Sequence, residues 1–211
     1  FVCHDMAGDG RLETLVVAYH KPNWPCQMAV LDSSGKLVGE YWNAGYLKYP
    51  AFKDINGDGR EELIVVCVNN EYRGGCLVVF DTRRISGSSP QSGRFACEGF
   101  EPGSELRYVT VPYTDVSEAI GNVVDGFNYV FVTNNDRISV TYGPSLYYEF
   151  DFGLACTQVY WGHGYERWHS EMTKAGKLTS VLGEAYRKAL LAGIRYWNGS
   201  AWVAEPAMSS H

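Results

Sequence analysis

Strand-forming residues recur along the chain in short, regularly spaced runs. TLVVAY (14–19), QMAVLD (27–32), KLVGEYW (36–42), ELIVVCV (62–68) and CLVVFD (76–81) either alternate apolar with polar positions or stay apolar throughout, and polar or glycine-containing stretches separate them. That is the period-2 or continuously apolar signature of half-buried and fully buried strands. LRYVTVPY (106–113), FNYVFVTN (127–134), RISVTYG (137–143) and LYYEFDF (146–152) continue it. Between the two groups, TRRISGSSPQSGRFACEGFEPGSE (82–105) is rich in Gly, Ser and Pro and has no period, so it is expected to be a long loop or insertion.

The last fifty residues change character. YERWHSEMTKAG (165–176) and EAYRKALLAGI (184–194) carry helix formers, with Gly176 as a C-terminal stop and Tyr186, Leu190 and Ile194 on one face of the second helix. IRYWNGSAWV (194–203) predicts a hairpin in which Asn198-Gly199 takes a type I′ turn. The pattern thus divides the chain into a β-rich part, 1–160, and a helical and hairpin element, 161–211.

The first part repeats itself. DMAGDGRLETLVV (5–17) lies on DINGDGREELIVV (54–66) without a gap at an offset of 49 residues, and Val30 and Asp32 fall on Val79 and Asp81. Each unit reads as a polar loop, a strand, a variable turn and a second strand, and the first continues through KLVGEYW to a closing strand in YLKYPAFKD (46–54). The clear units are 1–50 and 51–82. Four short antiparallel strands per repeat is the pattern of a propeller blade, which cannot bury its faces alone.

The polar loop has its own chemistry. Asp54, Asn56 and Asp58 occupy alternating positions, Gly59 permits a sharp bend, the Arg60 carbonyl is available, and Glu62 closes the loop. Calcium takes such oxygen ligands. An EF-hand would need a long carboxylate at its twelfth position and flanking helices, whereas Val65 and a strand stand here. The upstream copy offers Asp5, Asp9, the Arg11 carbonyl and Glu13, but Ala7 replaces Asn56 and removes one oxygen. The same residues also favour Asx-turns with no ion present, so turn and metal loop are both open readings.

These loops, each leading into a strand, resemble the FG-GAP or VCBS repeats of integrin-alpha-like β-propellers, marked by a DxDxDGxxD-type calcium loop. The resemblance covers residues 1–82 and fades afterwards; both loops end in Glu where the family pattern has Asp. It implies a mainly β, propeller-like fold of antiparallel blades in which calcium, the expected cofactor, ties loop to strand. It further implies an extracytoplasmic recognition module for a protein or glycan. An enzyme with its active site on one propeller face and a purely structural component are the alternatives, since fold alone does not set function. Phe1 stands where a repeat would begin, with its leading strand largely absent, and a 49-residue repeat gives about four blades. Completion by a second copy or by further chain is therefore expected. A third, diverged blade is expected after residue 106; around Asp125 and Gly126 apolar residues replace the ligands, so no calcium is expected there.

Composition narrows the partners. With 211 residues, 45% hydrophobic, and a net charge of -6, the chain is globular in type and carries no basic footprint for nucleic acid or an acidic membrane surface. No apolar run is long enough to span a bilayer as a helix. Aromatics make up 14%, with 15 Tyr, which suits pleated surfaces.

Other candidates are weaker. The six Cys show no CxxC spacing. Cys67 and Cys76 flank VNNEYRGG and lie opposite one another in a hairpin, as a disulfide or as two separate buried thiols. His163, Glu166 and His169 form HxxExxH, but on a helix the two His stand about 240° apart rather than on one face. No G-x-S-x-G, P-loop or dinucleotide fingerprint is present. Trp24, between Pro22 and Pro25, and Tyr72, in the equivalent turn of the second unit, are the candidate ligand-binding aromatics on a shared rim. Trp24 either stacks on a partner or packs its own loop.

Overall fold

Three antiparallel meanders form the molecule, and their order explains the two kinds of apolar run. The computed structural model describes residues 1–19, 25–72, 74–90, 101–112, 127–133, 136–142, 146–161 and 184–206. The first sheet runs β1 (Val2–His4), β2 (Glu13–Tyr19), β3 (Cys26–Leu31), β4 (Leu37–Asn43). The second runs β5 (Leu47–Lys53), β6 (Glu62–Asn69), β7 (Gly74–Asp81) and β9 (Arg107–Pro112), and β8 (Ser86–Ser88) lies in the connection between its last two strands. The third runs β10 (Phe127–Thr133), β11 (Arg137–Tyr142), β12 (Leu146–Asp151), β13 (Cys156–Trp161).

The second sheet is the middle layer. Leu63, Val65, Val78 and Phe80 pack with Leu15, Met28 and Tyr41 of the first sheet, while Ile64, Val66, Leu77 and Val79 pack with Ile138, Val140, Tyr148 and Phe150 of the third. Successive residues of a strand point to opposite faces, so β6 and β7 stay apolar through their middles, Leu63–Val68 and Cys76–Phe80, with polar residues only toward their ends. The outer strands β3 and β12 bury every second residue only, Cys26, Met28 and Val30 in one and Leu146, Tyr148 and Phe150 in the other. Each such core side chain contributes roughly 1.5–3 kcal/mol relative to leaving it in water.

The first two sheets pair at equivalent registers. His4 faces Glu13 as Lys53 faces Glu62, and Leu15 faces Val30 as Ile64 faces Val79. The phase of the units differs from the sequence expectation. YLKYPAFKD does not close the first unit; its residues 47–53 form β5 and pair with β6. A bulge at Tyr49, whose φ is 54°, and Pro50 interrupts that ladder, which is where a sheet tolerates a missing amide donor. LRYVTVP likewise belongs to the second sheet as β9, so the third sheet begins at Phe127 and takes CTQVYW as its fourth strand.

Two further expectations are corrected and one left open is decided. The 82–105 segment is not loop throughout: β8 runs parallel to β4, pairing Glu40 with Ser86 and Trp42 with Ser88. The Asn198-Gly199 hairpin, β14 (Arg195–Trp197) and β15 (Trp202–Val203), has no type I′ turn, because Gly199 has a φ of 97° but Asn198 is not in the left-handed region. Asn198 Oδ1 instead accepts the amides of Ser200 and Ala201, an Asx-type turn within a four-residue loop. Cys67 faces Cys76 across the hairpin, and of the two readings left open the structure takes the thiol one: Cys76 is buried and in no disulfide. A strand pair sets backbone register without requiring the two sulfurs to meet in disulfide geometry.

The helix α1 (Glu184–Gly193) leads into β14, which pairs with β9 and so extends the second sheet. Leu190, Ile194 and Tyr196 enter the core shared with the third sheet. No described helix is long and apolar enough to cross a membrane. The expected 165–176 helix, the HxxExxH residues His163, Glu166 and His169, the Asp125–Gly126 turn and Trp24 lie outside the described residues.

Candidate functional site

The two acidic loops each connect the first and second strands of their sheet. In the second, Asp54 Oδ1 accepts the Gly57 amide at 2.7 Å and Oδ2 the Gly59 amide at 2.9 Å. In the first, Asp5 Oδ1 accepts the Gly8 amide and Oδ2 the Gly10 amide, both at 2.8 Å. The glycines share a left-handed backbone, with φ of 72° and 84° at Gly8 and Gly10 and 77° and 83° at Gly57 and Gly59. An L side chain at any of the four would be strained, which is why both loops need Gly at those two places.

The closing carboxylates turn inward. Glu13 Oε2 accepts the Met6 amide at 2.8 Å, and Glu62 Oε2 the Ile55 amide at 2.9 Å; both residues are buried. Asp9 and Asp58 each accept the amide two residues on, from Arg11 and Arg60. Arg11 and Arg60 thus meet these loops through their amides as well as offering carbonyls. Asn56 marks the difference between the copies: its Oδ1 accepts the Asp58 amide and its Nδ2 donates to Glu62 Oε1 at 2.9 Å. Ala7 can do neither.

The electrostatics follow from these contacts. The Gly10 amide above all, with those of Asp9 and Gly8, holds the Asp5 carboxyl below its usual range. Burial pushes the Glu62 carboxyl up, and the charges of Asp58, Asp54 and Asp81 push the same way. The second loop therefore gathers negative charge around a buried acid. Among the described residues, no three His, Cys, Asp or Glu side chains are drawn together closely enough to hold a metal ion as they stand. The donor set itself, carboxylate, amide and carbonyl oxygens without nitrogen or sulfur, suits a hard cation, and carboxylate oxygens bonded to an amide keep a second lone pair.

The two loops share a cleft that their sequences do not reveal. Thr82, just after β7, donates its hydroxyl to the Met6 carbonyl at 2.8 Å, and the Glu61 carbonyl lies 3.2 Å from the same oxygen. His4 Nε2 sits 2.8 Å from Glu61 Oε2, with its ring stacked on Phe52 at 3.7 Å. A cavity of about 410 Å³ opens between the loops, lined by Asp5, Met6, Gly59, Arg60, Thr82 and Arg83. Arg83 is held in a two-pronged pair by Asp81. One signal in the sequence bears on this: Asp32 and Asp81, 49 residues apart, both accept the amide two residues on.

No family model matches the chain, nor does any curated protein or solved structure. The site is therefore read from its own geometry. Tyr72, the described member of the expected aromatic rim, is half-buried with its ring edge-on to Trp202 at 4.6 Å. Trp202 also meets Trp197 and Tyr108, so this end of the second sheet carries an aromatic cluster rather than isolated exposed rings.

Proposed function

We propose that the chain is a calcium-stabilised recognition module of the β-propeller type, with FG-GAP-like blades, that binds a protein or glycan partner outside the cytoplasm. The observation that supports this most is the common build of the two loops: one Asp capping two glycine amides, a second Asp, and a buried Glu closing onto the loop's own backbone. Asp54, Asn56, Asp58, the Arg60 carbonyl and Glu62 would hold one ion. Asp5, Asp9, the Arg11 carbonyl and Glu13 would hold another with one oxygen fewer.

Calcium's role is to neutralise carboxylates that otherwise repel each other, fixing each loop against the strand that follows. Three stacked meanders, the first two in equivalent register, support a blade-like reading of the layers. Partner binding falls to the turns at the far ends of the strands, where Tyr72 and the Trp202 cluster lie.

Thermal unfolding with calcium and with a chelator tests the proposal. Calcium at about a hundred times its dissociation constant adds roughly 2.7 kcal/mol, and Asp58→Ala should remove most of the rise in midpoint. An unchanged midpoint in the parent chain sinks the metal reading.

A further inference from the structure

Two Asn-Gly pairs stand in the chain, Asn56-Gly57 and Asn198-Gly199, and the fold treats them differently. Such a pair is open to a rearrangement in which the glycine nitrogen attacks the carboxamide carbon before it, because glycine has no side chain to hinder the approach.

In the first pair every group that this reaction needs is engaged. The Gly57 amide donates to Asp54 Oδ1 at 2.7 Å, Asn56 Nδ2 donates to Glu62 Oε1 at 2.9 Å, and Asn56 Oδ1 accepts the Asp58 amide at 2.8 Å. The nitrogen would have to lose its proton beside one carboxylate while the leaving group stays tied to another. Both steps are disfavoured by that placement.

The second pair is held by its oxygen alone. Asn198 Oδ1 accepts the Ala201 amide at 2.9 Å, the Ser200 amide at 3.0 Å and the Ser200 hydroxyl at 3.1 Å. Three donors thus converge on the atom that gains negative charge when the carboxamide carbon is attacked, at the distances of an oxyanion hole. Among the described residues, nothing accepts from the Gly199 amide or from Asn198 Nδ2. The loop is exposed, and no heavy atom would lie within 4 Å of a methyl group on Gly199, so solvent reaches the nitrogen.

We propose that Asn198 is a modification site at which the folded chain deamidates spontaneously, while the fold protects Asn56. The Gly199 nitrogen gives its proton to solvent base and bonds to Asn198 Cγ; the Cγ–Nδ2 bond breaks, and Nδ2 takes a proton from solvent and leaves as ammonia. Water then opens the succinimide. Cleavage of the new nitrogen–Cγ bond yields aspartate, and cleavage between that nitrogen and the Asn198 backbone carbonyl carbon yields isoaspartate. Either product adds a negative charge beside Trp197 and Trp202. Isoaspartate also lengthens the loop by one main-chain carbon and takes away the side-chain oxygen that caps Ser200 and Ala201. This loop closes the Trp197–Trp202 pair, whose rings lie 5.4 Å apart, and Trp202 meets Tyr72, so the change reaches the aromatic end of the second sheet.

Incubation of the folded protein at pH 7.4 and 37 °C, then peptide mapping by mass spectrometry with electron-transfer fragmentation, reads both sites at once. The same incubation in concentrated guanidinium chloride supplies the reference. A gain of one mass unit, with isoaspartate among the products, should accumulate at Asn198 in the folded chain at close to its rate in the denatured one. Asn56 should convert at least about tenfold more slowly than Asn198 in the folded chain, as expected where two hydrogen bonds must be released before attack. In the denatured chain that difference should vanish. An Asn198 that stays intact, an Asn56 that converts as fast in the folded protein, or a difference that persists in denaturant would each overturn the proposal.

Discussion

Thr82 and Met6 are joined by a buried hydrogen bond that spans 76 residues of chain. The bond ties the connection after β7 to the acidic loop of the first sheet, and the neighbouring Glu61 carbonyl brings in the loop of the second.

Thr82→Val keeps the shape and removes the donor, leaving two carbonyls beside a methyl group. A lost bond of this kind, with a buried acceptor left unsatisfied, costs about 1–3 kcal/mol. Urea unfolding should show that loss for Val and a much smaller one for Thr82→Ser. Equal losses in the two variants would mean that packing, not the hydroxyl, matters here.

Ala7→Asn should convert the first acidic loop into a closer copy of the second. Asn56 gives its loop an extra oxygen and a bond to Glu62, and position 7 faces Glu13 in the same way. Calcium titration followed by thermal unfolding should show a larger calcium-dependent rise in midpoint for this variant. An unaltered or smaller rise argues against coordination by that loop.

Gly45 and Gly35 both have left-handed φ, 155° and 82°, but only one is crowded. A methyl group at Gly45 would overlap the Val68 carbonyl, whereas nothing lies within 4 Å of one at Gly35. Gly45→Ala should therefore cost at least about 2 kcal/mol and Gly35→Ala about 1 kcal/mol, the latter from backbone strain alone. Chemical unfolding of the pair separates steric overlap from φ preference.

Thiol labelling distinguishes free from bridged sulfurs. Cys3 is exposed and should react in the folded protein, whereas Cys26 and Cys76 are buried. Burial also pushes the Cys26 thiol up to about 11, so little thiolate is present at neutral pH. Cys76 should label only after unfolding and without reductant; failure to label then would restore the bridge to Cys67.

The legible part of this molecule was local. The strands, the two loops and their common offset could be read because Asp, Gly and Glu occupy the same positions in DMAGDGRLE and DINGDGREE, and turn chemistry acts over a few residues. Sheet membership was not legible, because alternation in YLKYPAFKD identifies a strand without naming its neighbour. β8 was hidden for a different reason: SGS has no apolar signature, and its place is set by backbone pairing with β4.

The parallel pairing of β8 with β4 has a consequence for the order of events during synthesis. Glu40 meets Ser86 and Met6 meets Thr82, so part of the first sheet's bonding waits for chain made much later. Closing such distant contacts costs loop entropy before any contact repays it, which slows folding. A nascent chain halted before residue 82 would hold an unfinished edge along β4 and an unsatisfied Met6 carbonyl, making that interval its most aggregation-exposed stage.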